Sequence, residues 1–171
     1  MPAHSQPTGT RVNSLVATPE EIRRYLGTLS AILWNFGATF PVPTLDRYHS
    51  GELGFSFAAP LPGAAQPKSA VIQLSEIWTP DNQDEFHRYE YAFDFVEYSL
   101  NRRRSFHGHD PEHFRREFGV LVHEHCEERL GQPDCAHYYG LPMDAYEAIQ
   151  RFVSLWGQAK PLGCRQLRCM R

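Results

Sequence analysis

The sequence predicts an α+β fold: one single antiparallel sheet with an N-terminal helix, a short connecting helix and a C-terminal helix. Segments with apolar residues at helical spacing lie near both ends of the chain, and runs of alternating side chains, typical of strands, lie between them. The 171 residues, 42% of them hydrophobic, suit one domain. We expect a flexible N-terminal arm at 1–17, the domain at 18–160 and a basic C-terminal tail at 161–171.

The N-terminal helix is predicted to begin at Thr18. Thr18 is a suitable N-cap, Pro19 suits the first helical position, and Glu21 completes the pattern of a capping box. Apolar residues then recur at helical spacing, namely Ile22, Leu26, Leu29, Ile32, Leu33 and Phe36.

Two strands are predicted next, at Gly54–Phe57 and Ala70–Trp78. The segment between them holds three prolines and a glycine, which exclude a central strand. A long strand follows in "EFHRYEYAFDFVEYSL", where side chains alternate. The alternation assigns to one face Tyr89, Tyr91, Phe93 and Phe95, and to the other Arg88, Glu90, Ala92 and Asp94.

The last elements are two strands and two helices. We expect a strand at Arg103–His109, a short helix "PEHFRREF" capped by Asp110, and a strand at Gly119–Cys126. The closing helix, "DAYEAIQRFVSLWGQA", has an apolar stripe and Gly157 near its end. The stripe consists of Ala145, Ile149, Phe152, Val153 and Trp156.

Five of the nine histidines lie between residues 106 and 128, four of them in two H-x-H pairs. In a strand, His107 and His109 share one face, as do His123 and His125. If the two strands are neighbours, all four imidazoles can meet. Such a cluster suits metal binding, because neutral imidazole is a common ligand, and also proton transfer near neutral pH.

A metal site, for zinc or another divalent metal, has further candidates downstream. Cys126, Cys135 and His137 could join His125 across a turn, although this spacing is wider than that of a zinc knuckle. Because Cys126 and His125 lie on opposite faces of a regular strand, they would share an ion only at a strand end or a bulge. Carboxylates that could orient the imidazoles are Asp110, Glu124 and Glu127.

Chemistry without a metal is equally open. One histidine could act as base and another as acid in cleaving RNA, with the arginines at 102–104 neutralising the phosphate. The net charge of −3 gives no global attraction to nucleic acid, so such a patch would act locally. The structural alternatives are a solvated arginine turn and histidines at strand ends. We expect Cys164 and Cys169 to be reduced thiols in a frayed end. We also expect the protein to be cytoplasmic and to have no membrane-spanning segment.

The order "LSEIW", "HRYEYAFDF", an arginine-containing strand ending in "FHGHD", and "VHEHCE" before a closing helix resembles the TumE-like toxins of bacterial toxin-antitoxin systems. The resemblance covers about residues 68–157. It implies a ribonuclease-like site, RNA as substrate and a cognate antitoxin as partner. The residues that match are Glu76, Arg104, His107, His109, His123 and His125. The chain departs from the family in the cysteine after the second pair, the segment "CAHYYG" and the N-terminal helix.

The sequence therefore predicts a histidine-rich, nuclease-like protein that cleaves RNA, with Arg104 steadying the phosphate. Two alternatives remain open. One is a non-enzymatic binding or assembly subunit with a structural zinc site. The other is a metal-dependent hydrolase of a small molecule, which would have an open coordination position in place of a closed set of four ligands.

Overall fold

The computed structural model describes residues 15–62, 70–81, 84–109, 116, 122–131, 136–138, 142–158 and 160–167. Strands β2 to β8 lie side by side in chain order, each antiparallel to its neighbours, and β1 pairs with the start of β5. The elements are β1 (Val16–Ala17), α1 (Pro19–Asn35), β2 (Asp46–Arg47), β3 (Leu53–Leu61), β4 (Ala70–Pro80), β5 (Phe86–Glu97), β6 (Arg102–Gly108), β7 (Val122–Glu127), β8 (His137–Tyr138) and α2 (Ala145–Leu155).

The sheet dominates this fold, so the predicted α+β class is wrong. The described residues form a mostly-sheet fold, with a path of seven antiparallel strands and two α-helices, one near each end of the chain. Strands β2 to β6 follow one another closely in sequence and pair with their neighbours, which leaves little chain for helices between them. The predicted connecting helix and its cap Asp110 lie outside the described residues, except for Arg116.

The predicted start of the N-terminal helix is confirmed. The Thr18 hydroxyl accepts a hydrogen bond from the Glu21 amide at 3.3 Å, and Glu21 Oε2 accepts one from the Thr18 amide at 2.8 Å. This reciprocal capping satisfies N–H groups that have no partner within the helix. The apolar side chains that α1 buries are Ile22, Leu26, Leu29 and Leu33.

The predicted C-terminal helix is also present, as α2. The Asp144 carboxylate accepts the Tyr146 amide at 2.7 Å and so caps its N-terminus. Phe152 of α2 stacks on two rings of the sheet, with centroids 5.6 Å from Phe95 and 5.7 Å from Phe106. The side chains that α2 buries are Ala145, Ala148, Ile149 and Phe152.

The two faces of the sheet differ in character. Both helices pack on one face, which we call the helix-covered face, and there they bury the aromatic residues of β5 and β6. The opposite face, which we call the open face, carries small and polar side chains. Cross-strand partners share a face, so the register places Ser75 of β4, Ala92 of β5 and His107 of β6 together on the open face.

A β-bulge interrupts the alternation that was predicted for β5. The register shifts so that Ile77 lies opposite Glu90 and Trp78 lies opposite Arg88, and Tyr89 is the extra residue. The predicted grouping of Tyr89 with the buried aromatic residues, and of Arg88 on the opposite face, is therefore wrong. Arg88 faces the core, where its guanidinium carbon lies 4.7 Å from the Tyr91 ring centroid.

Strand β3 is longer than predicted. It continues from Phe57 through Pro60 to Leu61, with Pro60 opposite Val71 of β4. Proline is excluded from central strands because it lacks an N–H group. β2 pairs only with the start of β3, so at Pro60 the strand has a partner, β4, on one side only. On the other side no neighbouring strand requires an N–H group from Pro60.

The C-terminal segment is tied to the sheet, so the prediction of a frayed end with reduced thiols is wrong for Cys164. Cys164 forms a disulfide with Cys126 of β7. The Glu128 carboxylate accepts the amides of Leu162 at 3.2 Å and Gly163 at 2.9 Å. Cys169 lies outside the described residues.

Candidate metal site on the open face

The two histidine-bearing strands are neighbours. In the antiparallel register of β6 and β7, His107 lies opposite His123 and Ser105 lies opposite His125. All three imidazoles therefore stand on the open face, because directly opposed residues share a face and alternate residues return to it. The predicted meeting of the two H-x-H pairs is confirmed as geometry.

Three of the imidazoles form a group that could hold a metal ion. One ring nitrogen from each of His107, His123 and His125 lies within 4.8 Å of the other two. The ring centroids of His107 and His125 are 4.9 Å apart, as are those of His123 and His125, and those of His107 and His123 are 5.4 Å apart. Three neutral imidazoles are a ligand set that proteins use for divalent metals.

His123 is the innermost of these imidazoles, at 1% exposure. Burial, followed by charge repulsion from the neighbouring imidazoles of His107, His125 and His109, lowers the pKa of His123 from 6.5 to about 3. The ring is therefore neutral at pH 7, which is the state that binds a metal.

Asp94 of β5 orients the His107 ring. Its carboxylate oxygens lie 3.3 and 3.4 Å from His107 Nε2, and it also accepts hydrogen bonds from Ser105 and, at 2.8 Å, from Arg103. Burial opposes ionisation of Asp94, but the hydrogen bonds from His107, Ser105 and Arg103 outweigh it and hold the pKa of Asp94 below its ordinary value of 3.8. If His107 Nε2–H donates to Asp94, Nδ1 keeps its lone pair for an ion.

His109 stands beside the three-histidine group with a carboxylate of its own. Its ring centroid is 5.4 Å from that of His107 and 5.3 Å from that of His123. Its Nδ1 lies 3.0 Å from Glu90 Oε1. A histidine held by a carboxylate in this way is suited to proton transfer.

Two predicted site residues lie on the helix-covered face, away from the imidazoles. Arg104 donates to Glu124 at 2.8 Å and to Cys126 Sγ at 3.3 Å. Glu76 is 1% exposed and accepts hydrogen bonds, all at 2.9 Å, from Tyr25, Trp78 and Arg88. Their predicted grouping with the histidines is corrected, because Arg104 and His107 are an odd number of residues apart in one strand and so point to opposite faces.

Of the predicted metal ligands, the three that the structure describes, Cys126, His137 and His125, are not brought together. Cys126 is oxidised in its bond to Cys164, so it offers no thiolate. His137 lies opposite Glu124 and shares the helix-covered face with it, whereas His125 is on the open face. Cys135 lies outside the described residues. Of the acidic candidates, Glu127 binds Arg103 at 3.0 Å and Glu124 binds Arg104.

Asp94 and Glu90 were not predicted as site residues, and Arg103 was predicted only as one of the arginines at 102–104 that would neutralise a phosphate. The alternation of β5 already placed Asp94 and Glu90 on the polar face. Alternation could not show how β5 pairs with β6, and this pairing sets Asp94 opposite Ser105 and Ala92 opposite His107. Arg103, two residues before Ser105, belongs to the open face by the same alternation.

No protein-family model, no curated protein and no solved structure matches the chain. The resemblance to TumE-like toxins is untested by these comparisons and stays a prediction. Neither α1 nor α2, the two α-helices of the described residues, is long and apolar enough to cross a membrane.

Proposed function

We propose that this protein is a metal-dependent hydrolase in which His107, His123 and His125 hold one divalent ion, with zinc the first candidate. The observation that carries the proposal is the approach of three ring nitrogens to within 4.8 Å of one another, with Asp94 supporting one of them. When bound at such a site, a divalent ion lowers the pKa of a coordinated water and supplies a nucleophile near neutral pH.

An open site is favoured over a closed structural one. Structural zinc sites use four protein ligands, whereas catalytic sites use three and leave a position for water or substrate. Cys126 and His137, which would complete a closed set, face away from the three imidazoles. His107 and His125 are half-buried on the open face, so the group is not sealed from solvent. These observations count against an assembly subunit with a structural zinc.

The neighbouring residues have distinct roles in this proposal. Asp94 is a positioning residue that fixes the tautomer and orientation of His107, and Arg103 holds Asp94 in place. His109, oriented by Glu90, takes the proton from the attacking water and delivers it to the leaving group. Both carboxylates therefore act through the imidazoles, and neither takes part in the bond changes.

The proposal is tested by elemental mass spectrometry of the full chain together with hydrolysis of 4-nitrophenyl acetate. We expect about one ion per chain in the wild type and loss of both metal and hydrolysis in His107→Gln. His109→Gln should keep the metal and lose about a hundredfold or more in rate. His87→Gln, which changes an imidazole bonded to Thr79 at 2.8 Å, is the matched control and should keep both. A folded wild type that binds no ion when titrated with zinc would overturn the proposal.

RNA cleavage without a metal is the second candidate, and RNA its partner. It is favoured by the His107 and His109 pair, whose ring centroids are 5.4 Å apart and which each have a carboxylate partner. Its weakness is the phosphate site: Arg104 is on the opposite face, and Arg103 is engaged by Asp94 and Glu127. RNA cleavage that persists in EDTA and is lost in a His107→Gln/His109→Gln variant would support it, and a cognate antitoxin would then be the expected protein partner.

The cytoplasmic location also stays a proposal. The disulfide between Cys126 and Cys164 counts against it, because protein disulfides persist mainly in oxidising compartments. Alkylation of free thiols in freshly lysed cells, followed by mass spectrometry of the Cys164 peptide, tests the location. Alkylated Cys164 would fit the cytoplasm, and an intact disulfide would not.

A further inference from the structure

Two transverse rows of side chains cross the open face from β3 to β7. Because each strand pairs in register with the next, residues of one row are direct cross-strand neighbours. The first row consists of Ser56, Ser75, Ala92, His107 and His123. The second row consists of Ala58, Gln73, Asp94, Ser105 and His125. Both rows end in an imidazole on β7, and the first row has a second imidazole on β6, whereas the β3 to β5 positions hold mostly short side chains.

The short side chains leave a trough beside the imidazoles. A cavity of about 250 Å³ lies over β3, β4 and β5, and its open-face lining is Ser56, Ala58, Gln73, Ser75, Ala92 and Asp94. Asp94 lines the trough and also lies 3.3 Å from His107 Nε2. The trough therefore ends at the three-histidine group. Neighbouring strands are about 4.8 Å apart, so the distance from β3 to β6 is roughly 14 Å.

The polarity of the trough selects the kind of molecule that fits it. Hydroxyl groups of Ser56 and Ser75 and the amide of Gln73 can donate and accept hydrogen bonds. None of the residues that line this cavity is cationic, and its one charged group, Asp94, is bonded to Arg103 and His107. Phosphodiester chains require cationic side chains for tight binding, and this cavity lining offers none.

We propose that this trough binds a neutral, extended ester that carries amide or hydroxyl groups, and that it sets the scissile bond beside His107. The inference rests on the proposed hydrolase function and adds its substrate class. In the reaction, the oxygen of water forms a bond to the ester carbonyl carbon and the bond from that carbon to the leaving oxygen breaks. One proton of the water ends on the leaving oxygen, through His109, and the other leaves with the acid product.

The experiment compares three substrates: the 4-nitrophenyl ester of N-acetylglycylglycine, its anionic N-succinyl analogue, and 4-nitrophenyl acetate, which is too short to occupy the trough. The wild type should favour the neutral long ester over the anionic one by about tenfold in kcat/KM. Ser75→Phe, which fills the trough, should lower kcat/KM for the neutral long ester about ten times more than for 4-nitrophenyl acetate. Val71→Phe places the same ring on β4 outside the cavity lining and should leave both rates within about twofold.

The outcomes separate this inference from the proposed function. Preference for the anionic ester, or equal losses on both neutral substrates in Ser75→Phe, overturns the trough while the hydrolase stands. If 4-nitrophenyl acetate is not hydrolysed at all, the proposed function fails, and calorimetric titration with N-acetylglycylglycinamide tests the trough by itself. Binding to the wild type that Ser75→Phe weakens about tenfold or more supports the trough, and no binding to the wild type overturns it.

Discussion

Lowering the pH from 7 to 5 should destabilise the metal-free protein through His123. In the folded chain the pKa of His123 is lowered from 6.5 to about 3, chiefly by burial. At pH 5 the unfolded chain therefore binds a proton at this residue and the folded chain does not, so the unfolded state gains relative stability. Stability from His123 is complete above 6.5 and is lost as the pH falls from 6.5 towards 3.

The size of the effect follows from the pKa values. At pH 5, about 1.5 units below the unfolded value, a cost of roughly 1.36 kcal/mol per unit gives a loss of about 2 kcal/mol. Asp94 adds nothing in this range, because its pKa is below 3.8 in the folded chain and the carboxylate is ionised in both states at pH 5. A variant without the imidazole therefore isolates the part of the loss between pH 7 and 5 that comes from His123.

Urea unfolding in EDTA at pH 7 and pH 5 measures this loss of stability. The free energy of unfolding of the wild type should fall by about 2 kcal/mol more than that of His123→Gln, which has no titrating group at this position. His87→Gln is the control, and it should show the same fall as the wild type. Equal falls in the wild type and His123→Gln would refute the argument, because the buried imidazole would then titrate alike in both states.

Three further predictions concern Asp94, the disulfide and the buried pair of Arg88 and Glu76. Asp94→Asn should weaken zinc binding by about 10 to 100-fold in a competition titration, because it removes the carboxylate behind His107; unchanged affinity would contradict its orienting role. Reducing the bond between Cys126 and Cys164, which closes a 38-residue separation, should lower the free energy of unfolding by about 3–4 kcal/mol in urea, and a smaller value would show that the tail is held by other contacts. Arg88→Met should cost about 3–5 kcal/mol, because it leaves the carboxylate of Glu76 buried without its cation, and no change in the unfolding midpoint would count against that ion pair.

The strand period alone accounts for much of the site. Alternation placed His107 with His109 and His123 with His125, and it was enough to locate the imidazole cluster once β6 and β7 were neighbours. The same rule, applied to Arg104, puts this residue on the other face of the sheet from the histidines. Its assignment to the phosphate came from the arginine run at 102–104 and from the resemblance to a family, and the position of Arg104 on the helix-covered face corrects it.

Long-range features could not be predicted from the pattern. The bulge that turns Arg88 into the core depends on how β4 and β5 align, so the alternation of residues within β5 does not predict it. The bond between Cys126 and Cys164 depends on where the C-terminal segment returns, over a separation of 38 residues. The share of sheet in the fold was underestimated because β3 continues past the point where Pro60 predicted its end.

The disulfide also bears on which metal the site can select. Cys126 follows His125 directly, but it points to the other face and its sulfur is bonded to Cys164, so the ligand group consists of nitrogen donors. Thiolates favour soft ions such as Cu(I), whereas imidazoles accept Zn, Cu(II), Ni and Fe(II). Among divalent ions, affinity at such a site rises from Mn(II) to Cu(II) and falls again at Zn(II). If the proposed site holds an ion, its identity would therefore be set by metal supply in the compartment where the chain folds, because three imidazoles discriminate little among these ions.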